Sequence, residues 1–365
     1  MSRFRIADTR VKILLVRLRQ IGDVVFTTPT FAALRDHFPS AQLTYLVEPA
    51  AASVVAGNAD LSAVIVAPRA PGVRGFVADL ALGRRLARER FDLVLDFHGG
   101  PRAALLTWLS RAPCRVGYEV SGRAWMYTQR VARPRELRPR HSVENQWDLL
   151  TAIGVPPPDR GRYPVVMPLV RDTATQVRQR LASHGVAPDA RIVVMHVSAG
   201  NPFRRWPLEA FASVAAALPA VDARVRVIVT SGPSEADAAA QVIRDARERL
   251  APEVREQVLA CGEFSLAELR ALVDDAALYI GGDSGPMHVA ATTRVPMVSL
   301  YGPTLPARSE PWRAGSLPAL AVEVHGLACR PCDQRVCEPG DFRCLGQISP
   351  GRVIDAATQL LLRNG

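Results

Sequence analysis

Short apolar runs rich in β-forming residues alternate with helical stretches along this chain, and the alternation occurs twice. The first series is Val11–Val16, Leu43–Val47, Val64–Val66 and Leu93–Leu95, with the clearest helix over Leu80–Arg90. The second is Ile192–Met195, Val225–Val229, Leu278–Ile280 and Val298–Leu300, with helices near Leu208–Leu218, Glu235–Leu250 and Leu266–Val273. Strands separated by helices form a parallel sheet, and near-continuous apolar strands need cover on both faces. Between the series, Val155-Pro156-Pro157-Pro158 and Tyr163-Pro164 break the rhythm before a polar helix over Asp172–Ser183. Two consecutive doubly wound α/β domains are the economical reading for 365 residues. Pro350–Leu362 reads as a last helix.

Charge is the compositional feature that bears on partners. The chain carries 45 basic and 35 acidic residues, net +10, and Lys12 is its one lysine. A genomic codon bias accounts for the preference for arginine. The distribution is more telling: residues 1–185 hold 27 basic and 15 acidic side chains, so the whole positive excess lies in the first half. Residues 111–140 alone hold eight arginines (Arg111, Arg115, Arg123, Arg130, Arg133, Arg135, Arg138, Arg140) against Glu119 and Glu136. Such a field suits nucleic acid, an anionic membrane or an anionic substrate. Nucleic acid is disfavoured, because no RNA-recognition or zinc-finger signature occurs and aromatics make up only 6%. With 48% apolar and 22% charged residues the chain is not disordered. No apolar run reaches bilayer-spanning length and Met1–Arg10 is polar, so a cytoplasmic protein is expected.

Four loops attract chemistry. Gly281-Gly282-Asp283-Ser284-Gly285-Pro286-Met287-His288 follows a strand and precedes an Ala-rich helix, where unpaired backbone N–H groups favour an anion such as a diphosphate. Alternatively, Asp283 or Ser284 caps that helix. The pattern is neither a P-loop nor a dinucleotide fingerprint, so a kinase or dehydrogenase is disfavoured. Arg17-Leu18-Arg19-Gln20-Ile21-Gly22-Asp23 also joins a strand to a helix, and Asp23 is either a general base or an N-cap. Ser198-Ala199-Gly200-Asn201-Pro202-Phe203-Arg204-Arg205-Trp206 places two guanidinium forks beside an aromatic, suited to phosphate oxygens or to a solvated loop. Glu235, after the next strand, accepts ribose hydroxyls or opens an exposed helix.

Together these pieces resemble glycosyltransferase family 9, the ADP-heptose:lipopolysaccharide heptosyltransferases. The resemblance rests on Val16–Val25 with Thr28-Pro29, Phe91–Asp96 with Gly99 and Arg102, His141-Ser142-Val143-Glu144, Arg204-Arg205-Trp206-Pro207 and Asp283–His288, in that order. It implies a GT-B architecture, two Rossmann-like domains facing a cleft: residues 1–165 for the acceptor, 166–349 for the donor, and a helix over 350–365 returning to the first domain. It implies that Asp23 is the catalytic base of an inverting transfer, with Gly22, Arg102 and His141 on the acceptor side. Ser198, Gly200, Arg204, Arg205, Glu235, Asp283, Ser284, Gly285, Pro286 and His288 would bind the ADP-heptose donor. Arg204 stands where many members carry a lysine. The acceptor would be the anionic, lipid-linked lipopolysaccharide inner core, reached by peripheral contact with the inner membrane, with no nucleic acid involved. A family member with a protein or capsular glycan acceptor is the alternative.

Departure of a nucleoside diphosphate leaves negative charge that arginines and backbone N–H groups can stabilise. The chain contains no Asp-x-Asp pair, so a transfer needing no metal cofactor is favoured. Cys329, Cys332, Cys337 and Cys344 cluster in a Cys-x2-Cys-x4-Cys-x6-Cys pattern, which in a reducing compartment points to a structural zinc or iron site, or else to free thiols or disulfides. Cys114 and Cys261 read as packing residues, and His37, His98 and His325 as structural or surface residues.

Overall fold

The computed structural model describes residues 11–132, 140–197 and 199–363. The chain divides into two units, Met1–Pro168 and Leu169–Gly365.

The first unit is built on β1 (Lys12–Val16), β2 (Gln42–Val47), β3 (Ala63–Val66), β4 (Leu93–Asp96), β5 (Cys114–Tyr118) and β6 (Gln129–Val131). They form one sheet in the order β3-β2-β1-β4-β5-β6, and every pairing is parallel. The second unit repeats the plan with β7 (Arg191–His196), β8 (Val225–Thr230), β9 (Val258–Leu259), β10 (Leu278–Gly282), β11 (Met297–Tyr301) and β12 (Ala319–Glu323). Its order, β12-β11-β10-β7-β8-β9, is the same winding, again all parallel. Each sheet reverses direction once, between β1 and β4 and between β7 and β10. In such a sheet the crevice beyond the carboxyl ends of those two strands is where ligands bind.

The cores follow the apolar runs. Leu14, Val16 and Val94 lie in one buried cluster with Leu82 and Leu86 of the helix Gly72–Glu89. Strands β5, β6, β9 and β12 have no counterpart among the apolar runs. In β5 the run is broken by Arg115 and Gly117, and the glycine is required: a Cβ there would stand 2.3 Å from the Tyr127 ring. The division falls within a few residues of the expected boundary at 165. The last helix is Pro350–Arg363, and its buried Val353, Ala357, Leu360 and Leu361 join the core of the second unit, with Val298 and Leu300 of β11. An apolar stripe on one face lets the helix cover the sheet beside it, and Arg191 at the start of β7 donates to the Leu361 carbonyl at 2.5 Å.

Candidate active site

At the reversal point of the first sheet, the loop after β1 enters the helix Ile21–Val25, which carries buried Gly22 and then Asp23. Asp23 forms an ion pair with Arg17, and its side chain is 36% exposed. Arg17 also donates to the Phe97 carbonyl, 2.5 Å, so the loops after β1 and β4 are tied together. Behind them Asp96, fully buried, accepts N–H bonds from His98 and Gly99, both 2.9 Å, and the Tyr127 hydroxyl at 2.6 Å. Burial pushes its carboxyl pKa up, against those three donors. Gly99, at φ +64°, turns the loop where a side chain would be strained.

His98 stands two residues beyond β4, beside this loop. Burial, then the charge of Arg17, lower its pKa to about 4, while a hydrogen bond to the Arg19 backbone and the charge of Asp23 act in the opposite sense. It is therefore a neutral imidazole near neutral pH, close to Asp23.

His141 and Arg102, expected on the acceptor side, make contacts within the protein. His141 is the N-cap of the helix Ser142–Thr151: its Nδ1 accepts the Val143 N–H at 3.1 Å, and Glu144 takes its own N–H at 3.0 Å. That capping box sets Gln146, whose side chain donates to the Asp23 carbonyl and accepts from Thr27. Arg102 donates to Asp79, Glu48 (2.7 Å) and the Pro68 carbonyl (2.6 Å), a clamp across the carboxyl edge of the sheet. The arginine-rich stretch is likewise partly spent: Arg115 donates to the Met126 and Ala112 carbonyls, Arg123 to Gly99, and Arg140 to Asp148. Arg111 and Arg130 are exposed, while Arg133, Arg135 and Arg138 lie outside the described residues.

At the reversal point of the second sheet, the loops after β7 and β10 meet. Asp283 is 1% exposed. Thr304 donates to its Oδ2 at 2.5 Å, Arg204 Nη1 lies 3.2 Å from the same oxygen, and His288 Nε2 lies 3.5 Å from Oδ1. Burial opposes ionisation, but His288, Arg204 and Thr304 outweigh it and hold the carboxyl pKa at about 2. Ser284 holds the N-cap position of the helix Gly285–Ala290, but its buried hydroxyl makes no capping bond and has no hydrogen-bond partner among the described residues, and Asp283 is turned into this network. A Cβ at Gly282 would stand 3.3 Å from the Arg204 carbonyl, so the glycine eases the close approach of the two loops.

The two arginines diverge. Arg204 donates from Nε to Gln334 Oε1 (2.7 Å), which also accepts from Asn201 (2.8 Å). Arg205 donates to the Ala199 carbonyl and, at 2.9 Å, to Glu235. Gly200 is exposed between them, and Ser198 lies outside the described residues. Gln334 comes from the cysteine-rich segment, which sequence reasoning had not joined to this loop. Arg330 of the same segment bonds the Thr304 carbonyl (2.8 Å) and Glu323 (2.8 Å), and Phe342 packs edge-on against Phe203 at 5.3 Å.

Cys329, Cys332, Cys337 and Cys344 line one cavity of about 350 Å³. None of the four forms a disulfide in this structure, and burial raises the Cys344 pKa, with the other three cysteines adding to it against Arg330. Thiolates suit zinc or iron, but among the described residues no three His, Cys, Asp or Glu side chains are arranged to hold a metal ion.

Two doubly wound units, one with a partly exposed carboxylate and the other with a cationic loop at a strand-to-helix turn, have the architecture of the GT-B glycosyltransferases. More narrowly, the chain belongs to glycosyltransferase family 9 (heptosyltransferase), whose sequence profile matches residues 80–339. It is 26% identical to lipopolysaccharide heptosyltransferase 3 of Escherichia coli over 321 residues, covering 87% of this chain and 91% of that one. The solved glycosyltransferase family 9 structure from Veillonella parvula superimposes with a TM-score of 0.81, at 25% identity and 97% of both chains. The E. coli ADP-heptose lps heptosyltransferase II shares the fold at TM-score 0.76, with 18% identity over 97% of this chain and 99% of that one.

Proposed function

We propose that this enzyme moves heptose from ADP-heptose to the lipopolysaccharide inner core, inverting the anomeric carbon and using no catalytic metal. The observation that carries the reading is the exposure of Asp23. Of three aspartates at the reversal points, Asp96 and Asp283 are buried and occupied by protein donors, whereas Asp23 reaches solvent. Asp23 takes the proton of the acceptor hydroxyl as its oxygen attacks the anomeric carbon, and the bond to ADP breaks on the opposite face. Negative charge then gathers on the leaving phosphate, near Arg204, Arg205 and the backbone N–H groups of Ser284 and Gly285. Ser198, which lies outside the described residues, and Gly200 are assigned to the donor from the sequence, and Glu235, braced by Arg205, receives the ribose. Asp283, Pro286 and His288 shape the loop. Gly22 lets the acceptor approach Asp23, while Arg102 and His141 position that side from behind. The acceptor is lipid-linked and anionic, met at the cytoplasmic face of the inner membrane.

ADP release from ADP-heptose with a heptose-deficient core acceptor tests the reading. Asp23→Ala should lose about a thousandfold in kcat with donor affinity retained, and chelation should leave the rate unchanged. Full activity in Asp23→Ala would sink the assignment. A structural zinc or iron at Cys329, Cys332, Cys337 and Cys344 would need the thiols to converge further than they do here. Elemental analysis of the purified protein decides it.

A further inference from the structure

We propose that Val73, Phe76 and Val77, at the start of the helix Gly72–Glu89, dock the first unit onto an anionic lipid surface. These side chains are 79%, 55% and 57% exposed. Spaced three and four apart, they form one stripe on the helix. The core does not use them: the buried face of the same helix is Leu82, Gly83 and Leu86. Single exposed hydrophobics are ordinary on a soluble protein, but a contiguous stripe marks a contact.

The surrounding charge identifies what makes that contact. Arg69, Arg74, Arg84, Arg85, Arg88 and Arg90 are all exposed. The acids in this stretch are Asp79 and Glu89, and Asp79 is already taken by Arg102. An apolar stripe amid uncompensated guanidinium groups matches the boundary between acyl chains and phosphate headgroups. The apolar side chains enter the first and the arginines pair with the second.

The position also fits. The helix follows β3, so its first turns stand at the carboxyl edge of the sheet, the edge that carries Asp23 and the loop 97–100. The Arg102 clamp through Asp79, Glu48 and Pro68 fixes the helix at that edge. A lipid surface held there presents its headgroup sugars to the same edge. The purpose of the contact comes from the membrane-linked acceptor proposed above. Its test uses neither donor nor acceptor, so the two readings can fail separately.

The full chain is floated with vesicles of phosphatidylcholine, alone or with about 30 mol% phosphatidylglycerol, at ~0.1 M salt. Binding to the anionic vesicles should be at least about tenfold tighter than to neutral ones and should weaken as salt rises. The triple variant Val73→Ser, Phe76→Ser, Val77→Ser should lose about tenfold of that binding with Tm unchanged, since no core contact is removed. Arg69→Glu with Arg74→Glu should weaken binding and flatten its salt dependence. Trp125→Ser, in the exposed Trp108–Trp125 pair (5.7 Å) elsewhere on this unit, should leave binding as it was. The proposal is overturned if anionic vesicles are not bound, or if the serine triple binds as well as the parent. It is also overturned if Trp125→Ser is equally damaging, or if the triple instead abolishes a concentration-dependent dimer.

Discussion

Asp96 and Asp283 occupy the same place in the two halves of the molecule, at the carboxyl end of the strand just across the reversal point, and both are buried. Their surroundings are opposite. Asp96 is held by neutral donors, two backbone N–H groups and the Tyr127 hydroxyl, and its pKa is raised. Asp283 is held by Arg204, His288 and Thr304, and its pKa is lowered to about 2. One plan has thus been tuned two ways. The first unit holds Asp96 with neutral donors, ties the loop with Arg17 and leaves a second carboxylate, Asp23, partly exposed. The second buries the carboxylate and uses it to hold an arginine beside the turn where a leaving phosphate would gather.

The sharpest way to break this contrast is Arg204→Ala. It leaves the buried Asp283 without its guanidinium, and should cost the second unit about 3 kcal/mol in denaturant unfolding while also weakening donor binding. If the variant unfolds like the parent, the charge at Asp283 is not what holds the loop. Acid should separate the units next. Because the folded pKa of Asp283 lies below the ordinary 3.8, its contribution is present above that value. It fades as pH falls from about 4 to 2, a loss of roughly 2 kcal/mol. Asp96 has the opposite sign: with its folded pKa raised, its site is most stable when protonated and loses stability as pH rises through that value. Hydrogen exchange at the two loops, followed as the pH is raised from about 2, reads both, and parallel behaviour would refute the contrast. Tyr127→Phe removes a neutral donor from Asp96 and should cost the first unit about 1 kcal/mol, well below the Arg204 effect. Smallest is Gln334→Ala, expected to raise the donor KM about threefold with kcat nearly unchanged, because Arg204 loses a brace and keeps its charge. A fall in kcat with KM unchanged would argue against a positioning role.

The repeated winding was readable because the inner strands, such as Leu14–Val16 and Ile192–Met195, are covered on both faces and so are apolar throughout. Strands β5 and β12 were not readable. Arg115 and Gly117 interrupt the first, and Tyr127, which demands that glycine, is distant in sequence. The site divides the same way. Asp23, Arg204 and Asp283 announce themselves by following strands, and the winding then brings the right loops together. What these residues touch was hidden: Gln334 reaches Arg204 across 130 positions, and His98 feels the charges of Arg17 and Asp23. Arg102 and His141 sit within motifs of the resemblance, yet their side chains are committed to a clamp and a cap. A motif can therefore mark the scaffold of a site as readily as its contact surface.

The last helix has a consequence for biosynthesis. Leu360 and Leu361 lie in the core of the second unit, and Trp206, next to the arginine loop, donates to the Ile348 carbonyl at 3.1 Å. Synthesis runs from the N-terminus, and domains tend to fold as they emerge. The first unit can close around its own strands while the chain is still growing. The second unit must wait for this helix before its sheet is covered, so a nascent chain holds a closed first unit before it has a closed second one.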